Sequence, residues 1–206
     1  PPFAQAYRAL VTSLEFLMAK GGVFLFSSPS ASEGKTTSVA NLGVAFAEAG
    51  HATVVVDADL RRPRVHRFYG LSDDNGLTHV LSGKIDVAKA RRRVPDRVGL
   101  DAVVAGPIPP NPTELLRSEA LETALAKLAD SYDVVLIDCP PVLPVSDVLV
   151  ISRFVDAVVM IVSAGSTSRR QLSRAVAAFA RVNAPLKGVV LNGVEDTDLE
   201  GYAYYE

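Results

Sequence analysis

A single cysteine, Cys139, leaves the chain no partner for an internal disulfide, and a lone thiol fits a reducing compartment. No apolar run approaches the roughly 18 residues needed to cross a bilayer, and nothing at the start reads as a secretory leader. Because the chain opens on Pro1 and not Met, it is expected to belong to something longer, with any membrane anchor upstream. The charge is nearly balanced, at −2, which gives no general reason to expect nucleic acid as a partner. Arginine is nevertheless clustered, at Arg61, Arg62, Arg64 and Arg67 and again at Arg91, Arg92, Arg93 and Arg97. The second cluster reads as a solvated face.

What is present is apolar bulk. With 206 residues, 49% of them hydrophobic, the chain can form one sizeable α/β domain that buries roughly 70% of its unfolded surface. Its organising stretch runs from Phe24 to Thr37, FLFSSPSASEGKTT. This reads as a buried strand, a loop of small residues and the first turn of a helix. Gly34-Lys35-Thr36 is the end of a P-loop. Its backbone N–H groups can cradle phosphates, Lys35 can reach the β/γ oxygens, and the Thr36 hydroxyl can hold Mg²⁺. Pro29 stands where G-x-x-x-x-G-K-[ST] asks for its first glycine.

Along the chain, apolar residues at helical spacing predict a first helix over Phe3–Lys20, stopped by Gly21-Gly22. A second helix starts at Lys35 and ends with Gly50 in the C′ position. Strands are expected at Val23–Phe26, Thr53–Val56, Leu100–Val104, Val134–Ile137, Ala157–Val162 and Val189–Leu191. Short helices broken by glycine and proline fill 61–99. The prolines of GPIPPNP, Gly106–Pro112, make a rigid loop because they supply no ladder N–H. Further helices are expected at Thr113–Asp130, Ser146–Phe154 and Ser168–Val182. Alternating strands and helices, with strands apolar throughout, imply a mostly parallel sheet covered on both faces. The fold class is therefore α/β, P-loop NTPase-like, in three layers. Residues 1–194 form the domain, and 195–206 a flexible tail containing Tyr202, Tyr204 and Tyr205.

Ligands in such sheets sit at the strands' carboxyl ends, and the acidic residues lie there. Val54-Val55-Val56-Asp57-Ala58-Asp59 carries two carboxylates which, if the extended form continues, point to one side. Val135-Leu136-Ile137-Asp138 supplies another in Walker B form. Mg²⁺ takes few carboxylates, several waters and phosphate oxygens, so Thr36, Asp57 and Asp138 can supply its protein donors. Asp59 could then accept a proton from an incoming hydroxyl. Spacing does not settle which aspartate does which.

Over nearly its whole length the chain resembles the bacterial tyrosine kinases, the capsule and exopolysaccharide regulators derived from a P-loop ATPase. The resemblance is carried by EGKTT (Glu33–Thr37), VVVDADLRRP (Val54–Pro63), NGLTHVLSG (Asn75–Gly83), AGPIPPNPTELL (Ala105–Leu116), VLIDCPPV (Val135–Val142) and GVVLNGV (Gly188–Val194). It implies ATP-dependent autophosphorylation of the tail tyrosines Tyr202, Tyr204 and Tyr205. Lys35, Asp57 and Asp59 would be catalytic, with Asp59 as the base. Ser32, Glu33, Gly34, Lys35, Thr36, Thr37 and Asn192 would bind ATP, Asn192 at the adenine. Thr36, Asp57 and Asp138 would serve Mg²⁺. The implied partners are a membrane activator segment or protein of a polysaccharide export system, a second copy as phosphoacceptor in trans, and a tyrosine phosphatase. The implied location is the cytoplasmic face of the cell membrane, reached through an upstream or partner transmembrane segment.

Two stretches depart from the family. Its first helix carries E-x-x-R-x-x-R for ring assembly, where this chain has Gln5, Arg8 and Val11. Those changes remove charged contacts and weaken the case for a ring, while a homo-oligomer remains open. In the loop, Ala31-Ser32 replaces the usual Pro-Gly. Two rival readings share the fold. A ParA/MinD-like positioning ATPase carries a signature lysine where this chain has Ser30, and a nucleotide-binding regulatory module needs no efficient catalysis.

Overall fold

Successive strand residues in this chain face opposite sides of one sheet, and both sides are covered over its central strands. The computed structural model describes residues 2–18 and 21–194. Seven strands run β1 Gly22–Ser27, β2 Thr53–Asp57, β3 Arg91–Arg93, β4 Leu100–Val103, β5 Val134–Asp138, β6 Ala157–Ser163 and β7 Leu186–Asn192. Their order is β3-β4-β2-β5-β1-β6-β7. All neighbours are parallel except β3, which is antiparallel to β4. The helices are α1 Pro2–Glu15, α2 Lys35–Glu48, α3 Val65–Tyr69, α4 Leu77–Leu81, α5 Val87–Ala90, α6 Pro112–Leu116, α7 Glu119–Ser131, α8 Asp147–Ile151 and α9 Arg169–Arg181.

Strand alternation sorts the core into two layers. Phe24, Phe26, Val55, Val134, Leu136, Val159 and Ile161 join α1, α2 and α3 on one face. Leu25, Val54, Val56, Val135, Ile137, Val158 and Met160 join α4 to α9 on the other. Phe24, Leu25 and Phe26 are wholly buried, each contributing about 1.5–3 kcal/mol by leaving water. α2 closes as expected. Gly50, at φ 96°, follows the last turn, and its N–H and that of His51 bond Ala47 O and Phe46 O, a Schellman motif.

Several expected boundaries move. α1 ends at Glu15 and not at the glycine pair, since Phe16 and Leu17 are exposed and propensity alone does not sustain another turn. The helix expected over 113–130 is two, because Ser118 turns extended between α6 and α7 and its hydroxyl bonds Leu115 O, a local competitor of the helical ladder. Pro112 opens α6 and does not close the loop before it. Arg91–Arg93 forms an edge strand that the sequence reading did not include, and the run keeps the solvated face expected of it. Arg91 and Arg93 are exposed, and such charge blocks further strand addition. At the other edge β7 begins at Leu186, and its Val189 and Leu191 are exposed, so coverage on both faces fails there.

The tail expectation and Tyr202, Tyr204 and Tyr205 lie outside the described residues. Val11 is buried in the core against α2's layer. The position that carries arginine in the ring motif is therefore consumed within this chain's own core.

Candidate active site

β1 lies in the middle of the sheet, between β5 and β6, and releases the P-loop from its carboxyl end. Gly34 precedes α2 in the left-handed region at φ 78°. A Cβ there would also meet Asn192 Nδ2 at 2.1 Å, so a side chain would have to displace that amide. Ser32 also has positive φ, 67°, although it carries a Cβ that disfavours that region.

Strand register brings the carboxylates together. Asp57 and Asp138 are paired positions on β2 and β5, and parity puts both on the face that α2 covers. Lys35, at the start of α2, places Nζ 2.5 Å from Asp138 Oδ1. The Thr36 hydroxyl donates to Asp138 Oδ2 at 2.7 Å. Burial works against the Lys35 charge, but Asp138 beside it outweighs this and holds the ammonium above its ordinary value. Asp57 is wholly buried. That burial, together with the Asp138 charge, pushes its carboxyl up to about 8, against the backbone N–H of Val65 and the Lys35 charge. Burial also pushes the Cys139 thiol well above its usual value, which makes it inert.

The extended geometry expected to align Asp57 with Asp59 stops at Asp57. The Asp57 carboxylate turns to the loop instead, accepting from the N–H groups of Arg64 and Val65 at 3.0 Å each and of Asp59 at 3.2 Å. Asp59 accepts from the N–H groups of Arg61 and Arg62 at 3.3 and 3.0 Å. The two acids thereby occupy different levels. Asp57 is sealed beneath, while Asp59 lines a cleft of about 570 Å³ with Ser32, Gly34, Lys35, Thr36 and Thr37.

Glu33 also lines that cleft, but its carboxylate is spent inside the protein, accepting from Ser30 N and the Thr167 hydroxyl at 2.9 Å each. Asn192 Nδ2 donates to Glu33 O at 3.1 Å, which ties the end of β7 to the P-loop. Gln171 adds a bond to the Ser30 hydroxyl at 3.1 Å. Thr167 and Gln171 escaped the sequence reading because no spacing rule links them to residue 30 or 33.

Asp147 and Thr113 were missed as well. Asp147 is buried, and the guanidinium of Arg61 and the hydroxyl of Thr113 converge on it. Burial alone would raise its carboxyl, and the bonds from Arg61 and Thr113 outweigh that and hold it below the usual range. In the sequence Arg61 stood out only as one of a cluster of arginines. Here it anchors the Asp59 loop to α6 and α8.

A central parallel strand delivering a P-loop, with Lys, Thr and paired carboxylates at adjacent strand ends, defines a P-loop NTPase-like domain. The family described as AAA domain matches residues 18–187. The chain is 35% identical over 204 residues to the tyrosine-protein kinase YwqD of Bacillus subtilis (strain 168), covering 98% of this chain and 86% of that protein. With the tyrosine-protein kinase Wzc of Salmonella typhi it shares 32% identity over 207 residues, 98% of this chain but 28% of that protein. The kinase domain of Escherichia coli tyrosine kinase ETK matches with a TM-score of 0.90 at 30% identity, over 98% of this chain and 80% of that one. The chain belongs to the bacterial tyrosine-protein kinases.

Proposed function

We propose that this protein transfers the γ-phosphoryl group of ATP to tyrosines in residues 195–206 of a second copy. Tyr202, Tyr204 and Tyr205 are the acceptors in this reading. The observation that carries it is the convergence of Lys35, Thr36 and Asp59 on the P-loop cleft, with Asp138 bonded to Lys35 and Thr36 beneath it. The loop N–H groups and Lys35 hold the phosphates, Lys35 exchanging its bond to Asp138 for one to the β/γ oxygens. Asn192, at the end of β7 beside Glu33, contacts the adenine. Asp59 accepts the proton of the tyrosine hydroxyl as that oxygen bonds the γ-phosphorus and the bond to the ADP oxygen breaks.

Thr36, Asp138 and Asp57 offer hard oxygen donors of the kind Mg²⁺ takes, and a cation beside Asp57 and Asp138 offsets the repulsion between two buried carboxylates. Mg²⁺ held by these residues would neutralise charge on the β- and γ-phosphates. The tyrosine-kinase names of the relatives support the acceptor class. No helix among the described residues is long and apolar enough to cross a membrane. The full reading places the domain at the cytoplasmic face of the cell membrane, working with an activator of a polysaccharide export system and opposed by a tyrosine phosphatase.

Incubation with Mg²⁺-ATP followed by phosphotyrosine mapping tests this reading. Phosphate is expected on Tyr202, Tyr204 or Tyr205 and should be lost when all three become Phe. ATP binding without any tyrosine phosphorylation would overturn it in favour of a regulatory nucleotide-binding module.

A further inference from the structure

The cleft that holds Lys35 and Asp59 has a second wall without catalytic residues. Arg62, Arg64 and Arg67 line it together with Phe68. All three arginines are exposed, and among the described residues none of their guanidinium groups meets a carboxylate or another side-chain acceptor. This contrasts with Arg61 in the same run, whose Nε and Nη2 are bonded to Asp147 and Thr113. Their backbones, by comparison, are pinned. The N–H groups of Arg62 and Arg64 bond Asp59 and Asp57, and Arg67 sits in α3, whose Val65 and Tyr69 are buried. The result is a rigid cationic rim beside a phosphate loop, with the Phe68 ring 42% exposed among the charges.

Unpaired arginines on fixed backbone are costly to like charge and favourable to acidic chains. One segment of this protein has the matching composition. Residues 195–206 read EDTDLEGYAYYE, with acids at Glu195, Asp196, Asp198, Glu200 and Glu206, no lysine or arginine, and the three tyrosines between. We propose that Arg62, Arg64 and Arg67 form the acceptor-docking surface of the kinase and select an acidic tyrosine segment, namely residues 195–206 of a second copy. The acids meet the guanidinium groups, and Phe68 offers an aromatic face to a tyrosine ring. These arginines set specificity and take no part in the chemistry. The inference rests on the tail being the acceptor and adds what recognises it.

The test separates catalyst from acceptor. A full-length Lys35→Met chain serves as acceptor, and wild-type or Arg62→Glu/Arg64→Glu/Arg67→Glu chain as catalyst, with ATP varied independently. In parallel, anisotropy of a labelled synthetic 195–206 peptide measures docking in the presence of Mg²⁺-ADP, where no chemistry occurs. The expected result is an acceptor KM raised about tenfold or more with kcat little changed, and an unchanged KM for ATP. Peptide binding should weaken with added salt and be lost in the variant. A peptide with its acids replaced by lysine should bind the variant and not the wild type. Equal acceptor KM for both catalysts, or an ATP KM that rises with the acceptor KM, would overturn the docking role, the latter by assigning the arginines to the nucleotide. A wild type that binds the peptide but never phosphorylates it would overturn the kinase reading and leave the docking surface standing.

Discussion

Arg61 holds Asp147 with two nitrogens of one guanidinium, Nε 2.6 Å from one carboxylate oxygen and Nη2 3.2 Å from the other. Asp147 is 1% exposed, and the Thr113 hydroxyl also donates to it, at 2.5 Å. A fork of this shape suits arginine and not lysine. Replacing Arg61 by Ala leaves a buried carboxylate underpaired, at an expected cost of roughly 2–4 kcal/mol in urea unfolding. Arg61→Lys should recover only part. Because the folded carboxyl of Asp147 sits below its usual value, its contribution is present above about pH 4 and lost as pH falls through the folded value. Asp147→Asn should flatten that acid limb.

Asp57 works in the opposite direction. Its folded carboxyl is pushed up to about 8, so between about pH 4 and that value the folded chain binds more protons than the unfolded one. Stability of the ligand-free protein should therefore fall as pH rises across that window. Asp57→Asn should remove most of the slope while keeping an acceptor for the N–H groups of Arg64 and Val65. Denaturant midpoints at pH 5 and pH 8, with and without the substitution, measure it. An identical slope in the variant would mean that Asp57 is not the group responsible.

Ser32 holds φ 67° inside the P-loop. A non-glycine residue in that region costs about 1–3 kcal/mol, whereas glycine's extra freedom in the unfolded chain costs about 0.4–1 kcal/mol. Strain is the larger effect, so Ser32→Gly should stabilise the chain by about 0.5–1 kcal/mol. For a chain of this size a melting-temperature rise of about 1–4 °C follows, readable by calorimetry. A fall would show that the serine side chain makes up for the strain.

Lys35 and Asp59 should separate binding from chemistry. Lys35→Met removes the cation facing both Asp138 and the phosphates, so phosphorylation should vanish and nucleotide affinity fall. Asp59→Asn keeps the loop's acceptor for Arg62 N but removes the proposed base. It should spare ATP affinity and slow transfer by roughly 10²–10⁴-fold. Equal loss of binding in the Asp59 variant, measured by titration with a nucleotide analogue, would make Asp59 a metal ligand.

Much of the layer structure was legible because it is local. The runs Val54–Val56 and Val135–Ile137 are apolar on both parities, which marks strands buried on both faces, and Asp57 and Asp138 end them. The P-loop was legible from Gly34-Lys35-Thr36 even with Pro29 and Ser32 in unusual places. Membership of the tyrosine-protein kinases, read from the motif set, is borne out by the relatives and argues against the positioning ATPases. What escaped was either a boundary or a long-range partner. Ser118 breaks a helix through one hydroxyl bond that periodicity does not see. Arg91–Arg93 is solvated as expected, but only β4 beside it makes the run a strand.

The sequence alone determined which residues must leave water and where phosphate-binding chemistry could start, since side-chain period and the glycine of the P-loop are properties of the local chain. Tertiary structure decided what those residues meet. Setting β1 between β5 and β6 brought Lys35 to Asp138 across 103 positions. Register between β2 and β5 put Asp57 and Asp138 side by side. Strand order is decided by how helices cover both faces, a property of the whole domain that no window of sequence contains. That packing seals Asp57 and leaves Asp59 at the cleft, at 8% exposure.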